Sequence, residues 1–281
     1  MSTHPSPPED MLIEYDVSPL SFVEETAIAR VWKVARVDGQ NAALKIYKKA
    51  SMGNEAAGFF FLEALNGSAV ANVYRRTSNS ALIEWLDGHS LGDLTRRGED
   101  EKAAKELVAV ANRIHSFPLP PKDEYAKLED WLEALFTVGF AQACPPSSRQ
   151  NILRCQVLAR QLIEQPHDIR PLHGDLHHDN IRLGDRGYCA FDAKGVLGER
   201  TYELANAFRN PKGAFDLVHD VNRVRYLCDL WSKHFDVEPL RLIQWAAVKC
   251  ALSMVWRGRG VLELDPEFSL LEIFLAVSEE Y

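Results

Sequence analysis

The chain has 281 residues, 46% of them hydrophobic and 26% charged, with a formal net charge of −8 at pH 7. That balance describes a globular chain able to bury a sizeable core as one large domain or two smaller ones, and it excludes a disordered class. The net acidity argues against a general nucleic-acid binder, whose affinity would rest on Lys and Arg neutralising phosphates.

The N-terminus, MSTHPSPPED, carries neither a basic stretch nor an apolar stretch of the kind a secretory signal needs. No uninterrupted apolar run approaches the ~20 residues of a membrane helix. The five cysteines, Cys144, Cys155, Cys189, Cys228 and Cys250, are widely spaced and lack C-x-x-C pairs. Buried, reduced thiols in a cytoplasmic protein are therefore expected, rather than disulfides or a zinc site.

The first ten residues are Pro-rich and are expected to be frayed. Over residues 20–48 apolar and polar positions alternate around the turn signal Asp38-Gly39, which predicts a β-hairpin preceded by another strand. The period then changes to that of a helix over 54–65, NEAAGFFFLEAL, and to a buried strand over 81–86, ALIEWL. From Ser90 onward helical periodicity dominates. Ala103, Leu107, Ala111 and Ile114 share one face, Trp131, Leu132 and Leu135 the next, and Ile152, Cys155, Leu158 and Leu162 a third, followed by helical stretches at 214–235, 239–257 and 266–279. Only 170–194 breaks the pattern, reading as short strands and tight turns with Gly184 and Gly187 at one of them. The expected architecture is α+β: a small antiparallel-sheet lobe over 1–88 and a larger, mostly helical lobe over 89–281.

The break in the helical pattern contains LHGDLHHDN, residues 172–180. His173, Asp175 and Asn180 are spaced H-x-D-x-x-x-x-N, and Asp192 follows the apolar run YCAF. Upstream, Lys45 ends the strand segment AALK and Glu55 opens a helix. These are the parts of a phosphoryl-transfer site: a lysine for nucleotide phosphates, a glutamate to fix it, a carboxylate to take a hydroxyl proton, and an Asn–Asp pair for Mg²⁺. Mg²⁺ takes hard oxygen ligands and only one or two carboxylates from the protein, which suits Asn180 and Asp192. His173 fits a role in holding the loop backbone. A transition-metal site built on His173, His177 and His178 is the rival reading, but no H-E-x-x-H or cysteine partner accompanies them.

LHGDLHHDN together with AFDAKGVLGERTYELANAFRNP resembles the catalytic region of the aminoglycoside phosphotransferase branch of the protein-kinase-like fold, and within it the streptomycin 6-kinase and hydroxyurea phosphotransferase family. The resemblance is dense over 170–212 and thinner over 41–92. It implies a two-lobed kinase-like fold and an ATP-dependent small-molecule kinase, with GTP as the alternative donor and Mg²⁺ as cofactor. It further implies Asp175 as catalytic base supported by His173, Asn180 and Asp192 as metal ligands, and Lys45 as phosphate lysine paired with Glu55 or, less favourably placed, Glu63. Backbone groups around Glu84, Trp85 and Leu86 would meet adenine, and Glu203 stands where the family often has an aspartate bracing the catalytic loop. The implied partner is a small acceptor, such as a cationic streptomycin-like aminoglycoside, with no nucleic acid or membrane involved. Kinases of choline, homoserine or fructosamine, and a catalytically silent nucleotide-binding module, are the alternatives. One departure stands out: EETAIARVW, where a phosphate-covering loop belongs, contains no glycine.

Overall fold

A computed structural model describes residues 5–281. The expected frayed start does not extend through its last two residues: Glu9 and Asp10 begin helix α1 (Glu9–Tyr15), and Pro5 accepts a hydrogen bond from the Trp32 indole at 2.7 Å. Residues 1–4 lie outside the described residues. Acidic residues suit the N-terminal turn of α1, where unpaired N–H groups gather positive potential.

Five strands follow: β1 (Val17–Glu25), β2 (Ala29–Arg36), β3 (Asn41–Tyr47), β4 (Val73–Arg76) and β5 (Ser80–Glu84). They form one antiparallel sheet in the order β1-β2-β3-β5-β4. The Asp38-Gly39 turn joins β2 to β3, with Gly39 at φ +82°, a conformation glycine adopts without a Cβ penalty. Strand β4 was not apparent from sequence; half its residues, Arg75 and Arg76, are exposed. Alternation along β3 sends Ala42 and Leu44 to one face, against Tyr15, Trp32, Val34 and Leu82. The other face carries Tyr47, packed with Ala29, Phe59 and Ala81 beneath helix α2 (Ala56–Leu65). Lys45, two residues before Tyr47, shares that face, as the two-residue period of a strand requires.

Residues 85–90 connect the sheet to helix α3 (Leu91–Arg96), whose Ser90–Asp93 capping box fixes the entry of the chain. Helices α4 (Asp100–His115), α5 (Leu128–Phe136) and α6 (Pro146–Glu164) follow. After a β-rich interruption come α7 (Phe215–Val218), α8 (Val221–Phe235), α9 (Pro239–Arg257) and α10 (Phe268–Val277). The predicted helix over 214–235 is thus split, because Asp220 caps the second segment by accepting from Asn222 N. These helices surround one core in which Trp231 and Trp245 are fully buried. All five cysteines are free and buried there or beneath the sheet. Among the described residues no helix is long and apolar enough to cross a membrane.

The interruption is richer than one hairpin. The short strand β6 (Ala126–Lys127), β8 (Ile169–Leu172) and β11 (Val196–Glu199) form a three-stranded sheet, while β9 (Ile181–Gly184) and β10 (Gly187–Ala190) form the hairpin turning at Gly184 and Gly187. A pair of two-residue strands, β7 (Gly139–Phe140) and β12 (Val261–Leu262), closes a separate edge.

The small lobe meets the large one through backbone. A Cβ on Gly58 would lie 1.8 Å from the carbonyl oxygen of Ala193, and one on Gly195, at φ +66°, would lie 2.2 Å from that of Ala57. Two glycines thus let the start of α2 rest directly on the chain after Asp192. Gly58→Ala is expected to destabilise the protein by about 1–3 kcal/mol through forced separation of these segments. Denaturant titration checks this, and an unchanged midpoint with unchanged m-value would refute the tight contact.

Candidate functional site

Four charged side chains converge where those segments touch. Lys45 Nζ lies 3.2 Å from Glu55 Oε2 and 3.2 Å from Asp192 Oδ1, and Lys194 Nζ lies 3.0 Å from Glu55 Oε1 and 3.4 Å from Asp192 Oδ2. Each lysine therefore meets both carboxylates. Burial alone would lower Lys45, yet Asp192, Tyr47 and Glu55 outweigh it and hold the ammonium well above the usual lysine range. Burial would likewise raise Asp192, but Lys45 and Lys194 hold its carboxyl down at about 2. Glu63, the other glutamate weighed for Lys45, pairs instead with Arg76 at 2.8 Å. Asp192 itself sits at φ +58°, a left-handed conformation that Asp tolerates better than most residues.

The 172–180 segment is held from below by Glu203. Its carboxylate accepts from His173 N at 2.9 Å and Gly174 N at 3.0 Å, and its Oε2 lies 3.0 Å from His115 Nε2. Burial would raise this carboxyl, but the contacts with His115 and His173 outweigh that and keep it below the usual glutamate range. His173 is fully buried, and burial holds its pKa low, so the ring is neutral. Its Nδ1 accepts from Asp175 N at 3.3 Å, which assigns the proton to Nε2, donating to Phe191 O at 3.0 Å. With both nitrogens engaged, His173 links the loop to the residue before Asp192.

Asp175 faces the cleft with each carboxylate oxygen bonded to an amide: Oδ1 to Asn206 Nδ2 at 2.8 Å, Oδ2 to Asn180 Nδ2 at 3.3 Å. Asn180 Nδ2 also donates to Asp175 O at 3.0 Å, and Asn180 O accepts from Phe191 N at 3.0 Å. Asn180 is thereby joined to the chain leading into Asp192. These bonds commit its amide nitrogen and reserve its amide oxygen, so Asn180 and Asp192 offer the hard oxygen atoms that Mg²⁺ prefers.

Asn206 was not singled out from sequence. It lies in the 3-10 segment Arg200–Arg209, where its Oδ1 accepts from Arg209 Nη1 at 2.9 Å, and Arg209 is gripped by Glu267 at 2.7 Å and Ser253 at 2.7 Å. The signal available was only its position in the LANAFRNP run.

His177 and His178 are buried in the loop. His177 Nδ1 accepts from Asp179 N at 3.2 Å and caps the short 3-10 turn, with Nε2 3.8 Å from Asp175 Oδ2. His178 is fully buried beside Trp231. The three histidines turn to separate partners, and among the described residues no group of three or more His, Cys, Asp or Glu is arranged to hold a metal.

Glu84 is tied into structure: its N–H donates to Asn72 O at 2.8 Å, and its carboxylate accepts from Asn72 N and Nδ2 and pairs with Arg186. Trp85 bonds Asp87 through its indole at 2.7 Å, and Leu86 packs with Ala71 and Cys189. A cleft of about 1090 Å³ opens beside Asp175, reaching Glu55, Lys194, Trp131 and Trp256; Glu84, Trp85 and Leu86 are not among its lining residues. Trp131 and Trp256 therefore line a cavity, whereas Trp231 and Trp245 fill the core.

Glu203→Ala leaves three buried donors facing no acceptor and is expected to cost about 3–5 kcal/mol in denaturant unfolding; a loss under 1 kcal/mol would contradict the bracing role. Asp192 has a folded pKa below its unfolded value of 3.8, so its pairing adds stability above about pH 4 that disappears as pH falls through about 2. Lys45→Met removes its strongest opposing charge, and carboxyl NMR should then find the Asp192 titration moved upward.

A family model described as aminoglycoside/hydroxyurea antibiotic resistance kinase matches residues 15–260. Streptomycin 3''-kinase of Klebsiella pneumoniae is 32% identical over 222 residues, spanning 74% of this chain and 78% of that protein. Streptomycin 6-kinase of Streptomyces griseus is 25% identical over 233 residues, spanning 79% and 73%. Among solved structures, amicoumacin kinase in complex with AMP-PNP, Ca²⁺ and Ami aligns with a TM-score of 0.62 at 13% identity, covering 97% of this chain and 93% of that one. The two-lobed, protein-kinase-like α+β fold and a match over most of the sequence agree: the chain belongs to the aminoglycoside/hydroxyurea antibiotic resistance kinase family.

Proposed function

We propose that this kinase moves the γ-phosphoryl group of ATP to a hydroxyl of a streptomycin-like aminoglycoside, in the cytoplasm. The observation that carries the reading is Asp175, a carboxylate aimed into a cleft with both oxygens oriented by amides and the Lys45–Glu55–Asp192–Lys194 cluster alongside. Asp175 orients the acceptor hydroxyl and takes its proton as the oxygen bonds to phosphorus. Lys45, fixed by Glu55, neutralises phosphate charge, and Lys194 is placed to add to it. Asn180 and Asp192 would hold Mg²⁺, which supplies charge neutralisation on the phosphates. His173 and Glu203 act through position, keeping the loop in the geometry that proton transfer needs.

Two relatives named as streptomycin kinases support the acceptor class. So does the exposed mouth of the cleft, which carries Asp123, Glu124 and Asp130, suited to a cationic substrate. The turn expected to cover the phosphates has no glycine and is instead fixed by Thr26, whose hydroxyl accepts from Ala29 N at 3.0 Å. Adenine is left to the backbone of Trp85 and Leu86, since the Glu84 N–H is already engaged. Five buried free thiols suit a reducing compartment.

The test is mass spectrometry of streptomycin after incubation with enzyme, ATP and Mg²⁺, looking for a gain of one phosphate. Asp175→Asn is expected to lower turnover about 10²–10⁴-fold while nucleotide binding persists. Normal turnover in that variant would remove Asp175 from the chemistry.

A further inference from the structure

Lys249 takes no part in the chemistry above, and its surroundings do not explain it as a packing residue. It lies within α9, is 3% exposed, and lines the cleft that contains Asp175. Its ammonium sits 4.8 Å from the ring centre of Trp256 and 5.7 Å from that of Trp131, two rings that meet edge to face at 5.5 Å. Among the described residues it has neither an ion-pair partner nor a hydrogen bond. The nearby carboxylates are engaged elsewhere: Glu267 grips Arg209 and Arg257, and Asp175 is held by two asparagine amides. A buried amine facing a cavity with no protein partner is costly, and an apolar residue would pack the aromatic pair at lower cost. The aromatic faces recover part of that cost by cation–π attraction and fix the amine's direction.

Charge across the cleft sharpens the picture. The acidic residues Asp123, Glu124 and Asp130 are at its exposed mouth, where Arg257 is also exposed but neutralised by Asp265 and Glu267, whereas Lys249 and Arg209 are on its inner wall with Asp175. A cationic substituent is favoured outside and opposed inside.

We propose that Lys249 is a specificity-determining residue for the acceptor, donating from its aromatic seat to an uncharged sugar oxygen next to the reacting hydroxyl. The cationic groups of the acceptor are thereby kept at the mouth, and a neutral, hydroxyl-bearing edge is turned to Asp175. This deepens, and rests on, the aminoglycoside kinase reading. Burial lowers the Lys249 amine to about 8; Asp175 and Glu267 oppose that shift, Arg209 and Lys194 add to it, and Asp130 stands beside Trp131 on the facing helix. Loss of its proton therefore falls in an accessible pH range.

The experiment is calorimetric binding of streptomycin to the full chain loaded with Mg²⁺ and AMP-PNP, for the wild type, Lys249→Met and Lys249→Gln. Methionine should weaken streptomycin at least tenfold without lowering the melting temperature, since it removes a buried charge from an aromatic seat. Glutamine, which keeps a donor without the charge, should fall between, at a loss of threefold or more, and stands as the test if the methionine variant fails to fold. The ratio of wild-type to variant affinity should shrink as pH rises from 7 to 9, a trend that titration of streptomycin itself cannot produce because it cancels in the ratio. Equal affinity of wild type and variants overturns the Lys249 assignment alone. A wild-type protein that does not bind streptomycin overturns both the assignment and the functional reading beneath it.

Discussion

The structure depends on one electrostatic arrangement, the alternating square of Lys45, Glu55, Lys194 and Asp192. The four charges come from three local structures: a strand, the 3-10 turn leading into α2, and two positions of the loop after β10. A buried charge without its partner is far more costly than a complete, paired set, so the four positions constrain one another. The square can close only because α2 rests on the loop with no side chain between them, which the Gly58 and Gly195 contacts provide. Packing and electrostatics here are one constraint, since widening the contact would unpair the charges.

From that square, rigidity passes down the 172–180 loop. Phe191, immediately before Asp192, gives its carbonyl to His173 and its N–H to Asn180. Glu203 then fastens the same loop to the 3-10 segment behind it, and Asn206 in that segment returns to Asp175. The Asp175 carboxylate is thus oriented from two sides by neutral amides, which set its direction while leaving its charge available. The buried His173, expected from sequence to hold the loop backbone, makes that connection.

Much of this was legible in the sequence because spacing along one short segment is nearly geometry. The interval from Asp175 to Asn180 ends in the 3-10 turn His178–Asn180, and two-residue periodicity along β3 sent Lys45 to the face beneath α2. Glu203 was readable for a similar reason, as its place in GERTYELA matches a bracing carboxylate. What escaped depends on distance in sequence. Asn206 acquires its role only when Arg209 is drawn to Glu267, 58 residues on, and no local pattern encodes that. Lys249 was not singled out, because the periodicity of 239–257 cannot distinguish a solvent face from a cavity. Strand β4 was hidden because it is short and half exposed, and α1 because a proline-rich prelude obscured a cap at Pro8.

The square also imposes an order on folding. Its bonds close loops of 147 residues between Lys45 and Asp192 and 139 between Glu55 and Lys194. Contacts of such separation form late, after local helices and hairpins have paid the entropy of bringing them close. During synthesis the five-stranded sheet and α2 emerge while Asp192 is still unmade, so Lys45 and Glu55 have only each other for company. The small lobe therefore carries two corners of the square, and the other two reach it only when the remote loop docks.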